Sequence, residues 1–169
     1  MKSRGNTSRR SIAAVTGLAL AWLVTLVPAV AQNAYITNQG VYPNFSNKLT
    51  VIDTTTNKVV TTIDVGLAPA GVAVTPDGSK VYVTNLNNTV SVIATATNAV
   101  SATISVGNGP VGVAFTPDGS KAYVANQLDN TVSAIATASN TVLATIDVGA
   151  SPIAFGIFIL PRSRSAPAR

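Results

Sequence analysis

Beyond about residue 33 apolar and polar side chains alternate with a period of two over short runs rich in Val, Ile, Thr and Tyr, each run bounded by Gly, Pro, Asn or Asp. That pattern predicts β-strands joined by tight turns, and helical periodicity is nowhere evident after the N-terminal segment. In the middle of the chain the strands fall at residues 71–75, 80–84, 89–94 and 99–106, here lettered A to D in order. Between A and B the string Thr-Pro-Asp-Gly-Ser places Pro76 where a fixed φ suits a turn and Gly78 where a positive φ is needed.

The same four-strand pattern recurs. TPDGSK at 75–80 returns at 116–121, and VYVTN at 81–85 returns as AYVAN at 122–126, giving a period of about 41 residues. NTVSVIATATNAVSATISVG from Asn88 is echoed by NTVSAIATASNTVLATIDVG from Asn130 and by NKLTVIDTTTNKVVTTIDVG from Asn47. An extra stretch, QGVYPNFSNKL, follows AYITN in the first unit and is expected to form a loop.

Taken together, VYVTN, TPDGSK, the NTVSVI strand and the TISVG ending resemble the YVTN-type β-propeller repeat of bacterial and archaeal surface proteins. The resemblance implies an all-β fold: β-propeller blades of four antiparallel strands arranged radially, about three blades per chain. It divides the chain into repeats at 32–66, 67–107 and 108–149 and a closing strand at 150–159. The first unit starts at a B strand, AYITN at 34–38, and so has no A strand. SPIAFGIF at 151–158 aligns with GPVGVAFT at 109–116 and reads as a lone A strand. Three blades are fewer than the four to eight of ordinary propellers. The expected remedies are a homodimer that exchanges the closing strand, with Ile153 and Phe158 at its ends, or a shortened array with an open edge.

Residues 1–31 read as an export signal: Lys2, Arg4, Arg9 and Arg10 precede an apolar run at 12–27 and a small-residue cleavage site at Ala29 and Ala31. The apolar run is short for a membrane span, so no span is expected in the mature chain, which would be periplasmic, secreted or held at the cell surface. The Arg pair leaves Sec and twin-arginine export open. The chain as a whole carries a net charge of +5. Without residues 1–31 it keeps seven basic side chains against six Asp, a net charge of +1. That leaves no positive stripe for nucleic acid. The stretch at 162–169 reads as a disordered basic tail.

His, Cys and Glu are absent, which excludes Ser-His-Asp and Cys-His constellations, disulfides and the usual metal sets. GNGPVG at 107–112 matches the glycine pattern of dinucleotide sites, but Pro110 lacks a backbone N–H and a strand follows where a helix is required. No cofactor is expected. Asp77 and Asp118 read as turn formers, and Tyr35, Tyr82 and Tyr123 as packing between blades. The residues expected to gather as a polar rim on one end are Asn38, Asn85, Asn87, Asn88, Asn126, Asp129 and Asn130. The functional expectation is a non-catalytic extracytoplasmic binding or scaffold module for an unnamed protein or glycan. The alternatives are a surface-layer-like structural component and a lactonase- or quinoprotein-like propeller enzyme subunit.

Overall fold

The structure, a computed structural model, describes residues 32–154 together with Gly156, Phe158 and Ile159. The export signal and the basic tail expected from the sequence lie outside the described residues. Eleven strands follow one another: β1 (Asn33–Val41), β2 (Asn44–Asp53), β3 (Lys58–Asp64), β4 (Pro69–Val74), β5 (Lys80–Asn85), β6 (Thr89–Ala94), β7 (Ala99–Ser105), β8 (Pro110–Phe115), β9 (Lys121–Asn126), β10 (Thr131–Ala136) and β11 (Thr141–Asp147).

They form three antiparallel sheets, β1–β2–β3, β4–β5–β6–β7 and β8–β9–β10–β11, each in simple sequence order. These are β-propeller blades: two complete, and a first that has B, C and D but no A among the described residues. β-Branched side chains at alternate positions favour the extended backbone. The hairpins between C and D turn on Asn57, Asn98 and Asn140, all at positive φ (54°, 51° and 55°), a conformation Asn tolerates better than most residues.

Each blade buries its apolar side chains against the next. Tyr35, Leu49, Val51 and Ile63 of the first blade meet Val81, Val83 and Ile93 of the second. Tyr82, Val90, Val92 and Ile104 of the second meet Val113, Ala122, Val124 and Ile135 of the third. The repeat therefore encodes one interface twice, with a forward face on one blade and a rear face on the following one. A hydrogen bond crosses each junction at the same place: Tyr35 donates to Asn98 Oδ1 (3.2 Å) and Tyr82 to Asn140 Oδ1 (2.6 Å).

Near the axis the innermost strands approach closely. A Cβ on Gly71 would lie 2.7 Å from the Val111 carbonyl oxygen and 3.0 Å from Gly112 Cα. The Ala154 carbonyl in turn occupies the space a Cβ on Gly112 would fill. Glycine at these two positions is a packing requirement.

Two expectations need correction. The extra stretch in the first unit is no open loop: it lengthens the hairpin, with Gly40 paired to Phe45 and Val41 to Asn44. Gly40, at φ 75°, absorbs the register shift. The segment aligned with an A strand, residues 151–154 among those described, joins no sheet. A strand needs a neighbour's main chain, and β1, the B strand without an A, belongs to the first blade, whereas this segment lies against β8 of the third.

Candidate functional site

The Thr-Pro-Asp-Gly-Ser turns close on themselves. Asp77 Oδ1 accepts from Thr75 Oγ1 (2.6 Å), Ser79 N (3.0 Å) and Ser79 Oγ (2.9 Å). Asp118 does the same with Thr116 Oγ1 (2.6 Å), Ser120 N (3.0 Å) and Ser120 Oγ (2.9 Å). The threonine hydroxyl, followed by the serine amide and hydroxyl, holds each carboxyl down at about 2. Both are anionic at neutral pH, and both are turn formers.

Between these turns of the second and third blades runs a groove of about 530 Å³, bordered by Asp77, Ser79, Lys80, Asp118 and Thr137. Lys80 Nζ bridges it, donating to the Thr137 carbonyl at 3.0 Å. The groove presents two fixed carboxylates and one tethered ammonium, a setting for hydroxyl or amine groups. Sequence reasoning passed over Lys80. Its signal was the Lys that ends TPDGSK, placed one strand position beyond a turn that faces the next blade.

Pro76 separates that groove from an apolar cavity of about 540 Å³ along the inner strands, bordered by Val72, Val74, Ala114, Phe115, Pro117 and Ile159. The Phe115 ring packs edge-on against Tyr82, with centroids 5.0 Å apart. Burial there pushes the Tyr82 hydroxyl up to about 12. No group of three or more Asp, Glu, His or Cys is placed to hold a metal ion among the described residues.

The expected polar rim divides. Asn85 and Asn126 are fully buried and present nothing to a ligand. Asn85 Nδ2 donates to Thr89 Oγ1 (3.1 Å) and Ser91 Oγ (3.0 Å), and Asn126 Nδ2 to Thr131 Oγ1 (3.0 Å) and Ser133 Oγ (2.9 Å). Each is roofed by a glycine, Gly66 or Gly107, whose Cβ would strike the amide. The other five are exposed, and each accepts a hydrogen bond, Asn87 within its own loop, Asn38 from the paired strand β2, and Asn88, Asp129 and Asn130 from the connection that leads to the next blade or segment. Asn38 and Asn87 accept from Thr50 (2.6 Å) and Thr89 (3.0 Å). Asn88 accepts from Gly109 N (3.2 Å) and Asn130 from Ser151 N (2.8 Å). Asp129 accepts from the backbone and side-chain amides of Asn108, both at 2.7 Å, and those bonds lower its pKa. The rim is a set of loop caps, and the concave surfaces lie at the turns and along the axis.

No family model matches the chain, and no curated protein matches it. Solved structures do. Hydrazine synthase of Kuenenia stuttgartiensis is similar over 70% of this chain and 33% of its own, at 31% identity and a TM-score of 0.64. A protein of unknown function from Desulfotomaculum acetoxidans is similar over 72% of this chain and 40% of its own, at 25% identity and a TM-score of 0.60. The dihydro-haem d1 dehydrogenase NirN, in complex with DHE, shares the fold over 68% of this chain and 24% of its own, at 17% identity and a TM-score of 0.58. This chain thus spans well under half the length of each. The blades of this chain are of β-propeller type, as theirs are. The expectation of a non-catalytic binding or scaffold module is overturned here, because the propeller that this one resembles at 31% identity is that of a synthase.

Proposed function

We propose that this chain is the propeller part of an exported enzyme assembly, built from the YVTN-type repeat that its VYVTN and TPDGSK strings resemble. The observation that carries the reading is the 31% identity to hydrazine synthase over 70% of this chain but only 33% of that one. A likeness of that shape is a likeness to one part of a larger enzyme. With no His or Cys, this chain has neither of the commonest side chains for ligating haem iron and no base that titrates near neutral pH by default. Its share of the work is to form walls: the apolar cavity beside Phe115 receives a flat or apolar group, and the Asp77–Lys80–Asp118 groove orients polar substituents. The reacting group belongs to a partner polypeptide.

The test is isolation of the tagged chain under mild conditions from the cell that makes it. The fractions are assayed for hydrazine formation and dye-linked dehydrogenation and scanned for haem absorbance. The expected result is co-elution at fixed stoichiometry with an active polypeptide, and loss of that activity in cells lacking this chain. Elution of the chain alone, with every activity unchanged in the deletion strain, overturns the reading.

A further inference from the structure

The geometry points to a two-copy ring, in which the segment at residues 151–154 belongs to the innermost strand of a blade whose other three strands are β1, β2 and β3 of a second copy. This inference concerns assembly and stands apart from the enzymatic reading.

The segment is launched like an A strand. Ala68 and Gly109, one residue before β4 and β8, have positive φ (52° and 61°), and Ser151 at the matching position has φ 53°. Asn88 receives the Gly109 amide, and Asn130 receives that of Ser151. The amides of Val106 and Val148 go to the carbonyls of the same two Asn residues. The segment's main chain also comes against the inner strand before it, as that of β8 does: the Ala154 carbonyl lies over Gly112, where the Val111 carbonyl and Gly112 Cα lie over Gly71. What it lacks is a B strand, and the B strand lacking an A is β1.

The two outer faces match in the same way. Ile63 and Ile104 on the forward faces of the first and second blades are 7% and 5% exposed, covered by the blade that follows. Their counterpart Ile146 on the third blade is 42% exposed. On the rear faces Val83 and Val124 are fully buried, whereas their counterpart Ile36 is 47% exposed. The third blade thus offers a forward face, and the first a rear face, of the interface built twice inside the chain. The Tyr-to-Asn bond has its next pair waiting as well: Tyr123 occupies the place of Tyr35 and Tyr82, and Asn57 that of Asn98 and Asn140.

A second copy turned by half a revolution unites both pairs of faces at once. Two copies give six blades, inside the usual range of about four to eight, and the two-fold symmetry closes the assembly with no face left over. By the register of β8 with β9, Ala154 falls opposite Thr37 of the second copy and Gly156 opposite its Tyr35.

The experiment uses two variants on exposed faces, Ile36→Asp and Ile146→Lys, with native mass and light scattering measured for each alone and for their mixture. The wild-type chain is expected to be a dimer, and each variant alone a monomer with unchanged circular dichroism, since each spoils both junctions of its own dimer. Mixed together they are expected to dimerise, because one junction of the mixed pair is wild type and the other sets Asp against Lys. A monomeric wild type, a dimer indifferent to both substitutions, a ring of three copies, or binding only to a different polypeptide each overturns the inference. As a second measurement, Thr37→Cys with Ala154→Cys in this cysteine-free chain is expected to give a disulfide between copies, whereas one within a single copy overturns it.

Discussion

The Asn130 side-chain carbonyl accepts the backbone amide of Ser151 at 2.8 Å, repeating at the end of the third blade the bond that Asn88 makes to Gly109 at the end of the second. The two Asn residues come from loops of different length, NLNNTV and NQLDNTV, yet deliver the same acceptor to the same place. The inserted residue is accommodated upstream, where Leu128 stands exposed.

Asn88→Ala is therefore expected to cost about 1 kcal/mol in unfolding free energy, read from the urea midpoint. Asn130→Ala is expected to leave the blades intact and to speed hydrogen exchange at the Ser151 amide.

Acid weakens the turns. In the folded chain the Asp77 and Asp118 carboxyls titrate at about 2, below the value of about 3.9 of an unfolded chain. Their contribution is complete above the unfolded value and is lost as pH falls from about 4 through 2. Urea midpoints measured across that window are expected to drop, and Asp77→Asn with Asp118→Asn to flatten the drop.

Alkali acts at a different point. The buried Tyr82 hydroxyl titrates at about 12, above the free value of about 10. The stability it carries is complete below pH 10 and lost as pH rises toward 12. Tyr82→Phe is expected to remove that alkaline loss and, at neutral pH, to cost about 1 kcal/mol for the bond to Asn140. Absorbance at the tyrosinate band and thermal melts check both.

Ile135 is fully buried in the junction between the second and third blades. Ile135→Ala is expected to cost about 2–5 kcal/mol. Val142→Ala, on a half-exposed site of β11, is expected to lie within about 0.5 kcal/mol of wild type. Denaturant unfolding of the two variants side by side gives the comparison.

Gly66→Ala sets a methyl against the buried Asn85 amide, 2.5 Å from its Cγ. It is expected to destabilise by about 1–3 kcal/mol. Gly149→Ala, at the matching place on the third blade but with open space around it within one copy, is expected to be neutral in the monomeric Ile36→Asp background, in which Gly66→Ala still lowers the thermal midpoint.

Strands and turns were legible because Pro76, Asp77 and Gly78 act through local geometry, and their return in the third unit fixes the period. The buried role of Asn85 and Asn126 was harder to see. Asn at a strand end reads as a loop former, and only the position of Gly66 and Gly107, some nineteen residues upstream in the chain, shows that a roof lies over each side chain. The groove at Lys80 escaped notice because its far wall, Thr137, belongs to the next blade. The stretch around Pro43 read as a loop because it breaks the alternation, while its pairing depends on Gly40 taking up the shift.

Gly71 and Gly112 also bear on how this architecture can grow. Where two inner strands touch main chain to main chain, the wedge angle of each sheet is set by the width of a bare backbone. A single methyl at either position would splay the fan, so the number of sheets that complete a circle is governed by a hydrogen in place of a side chain.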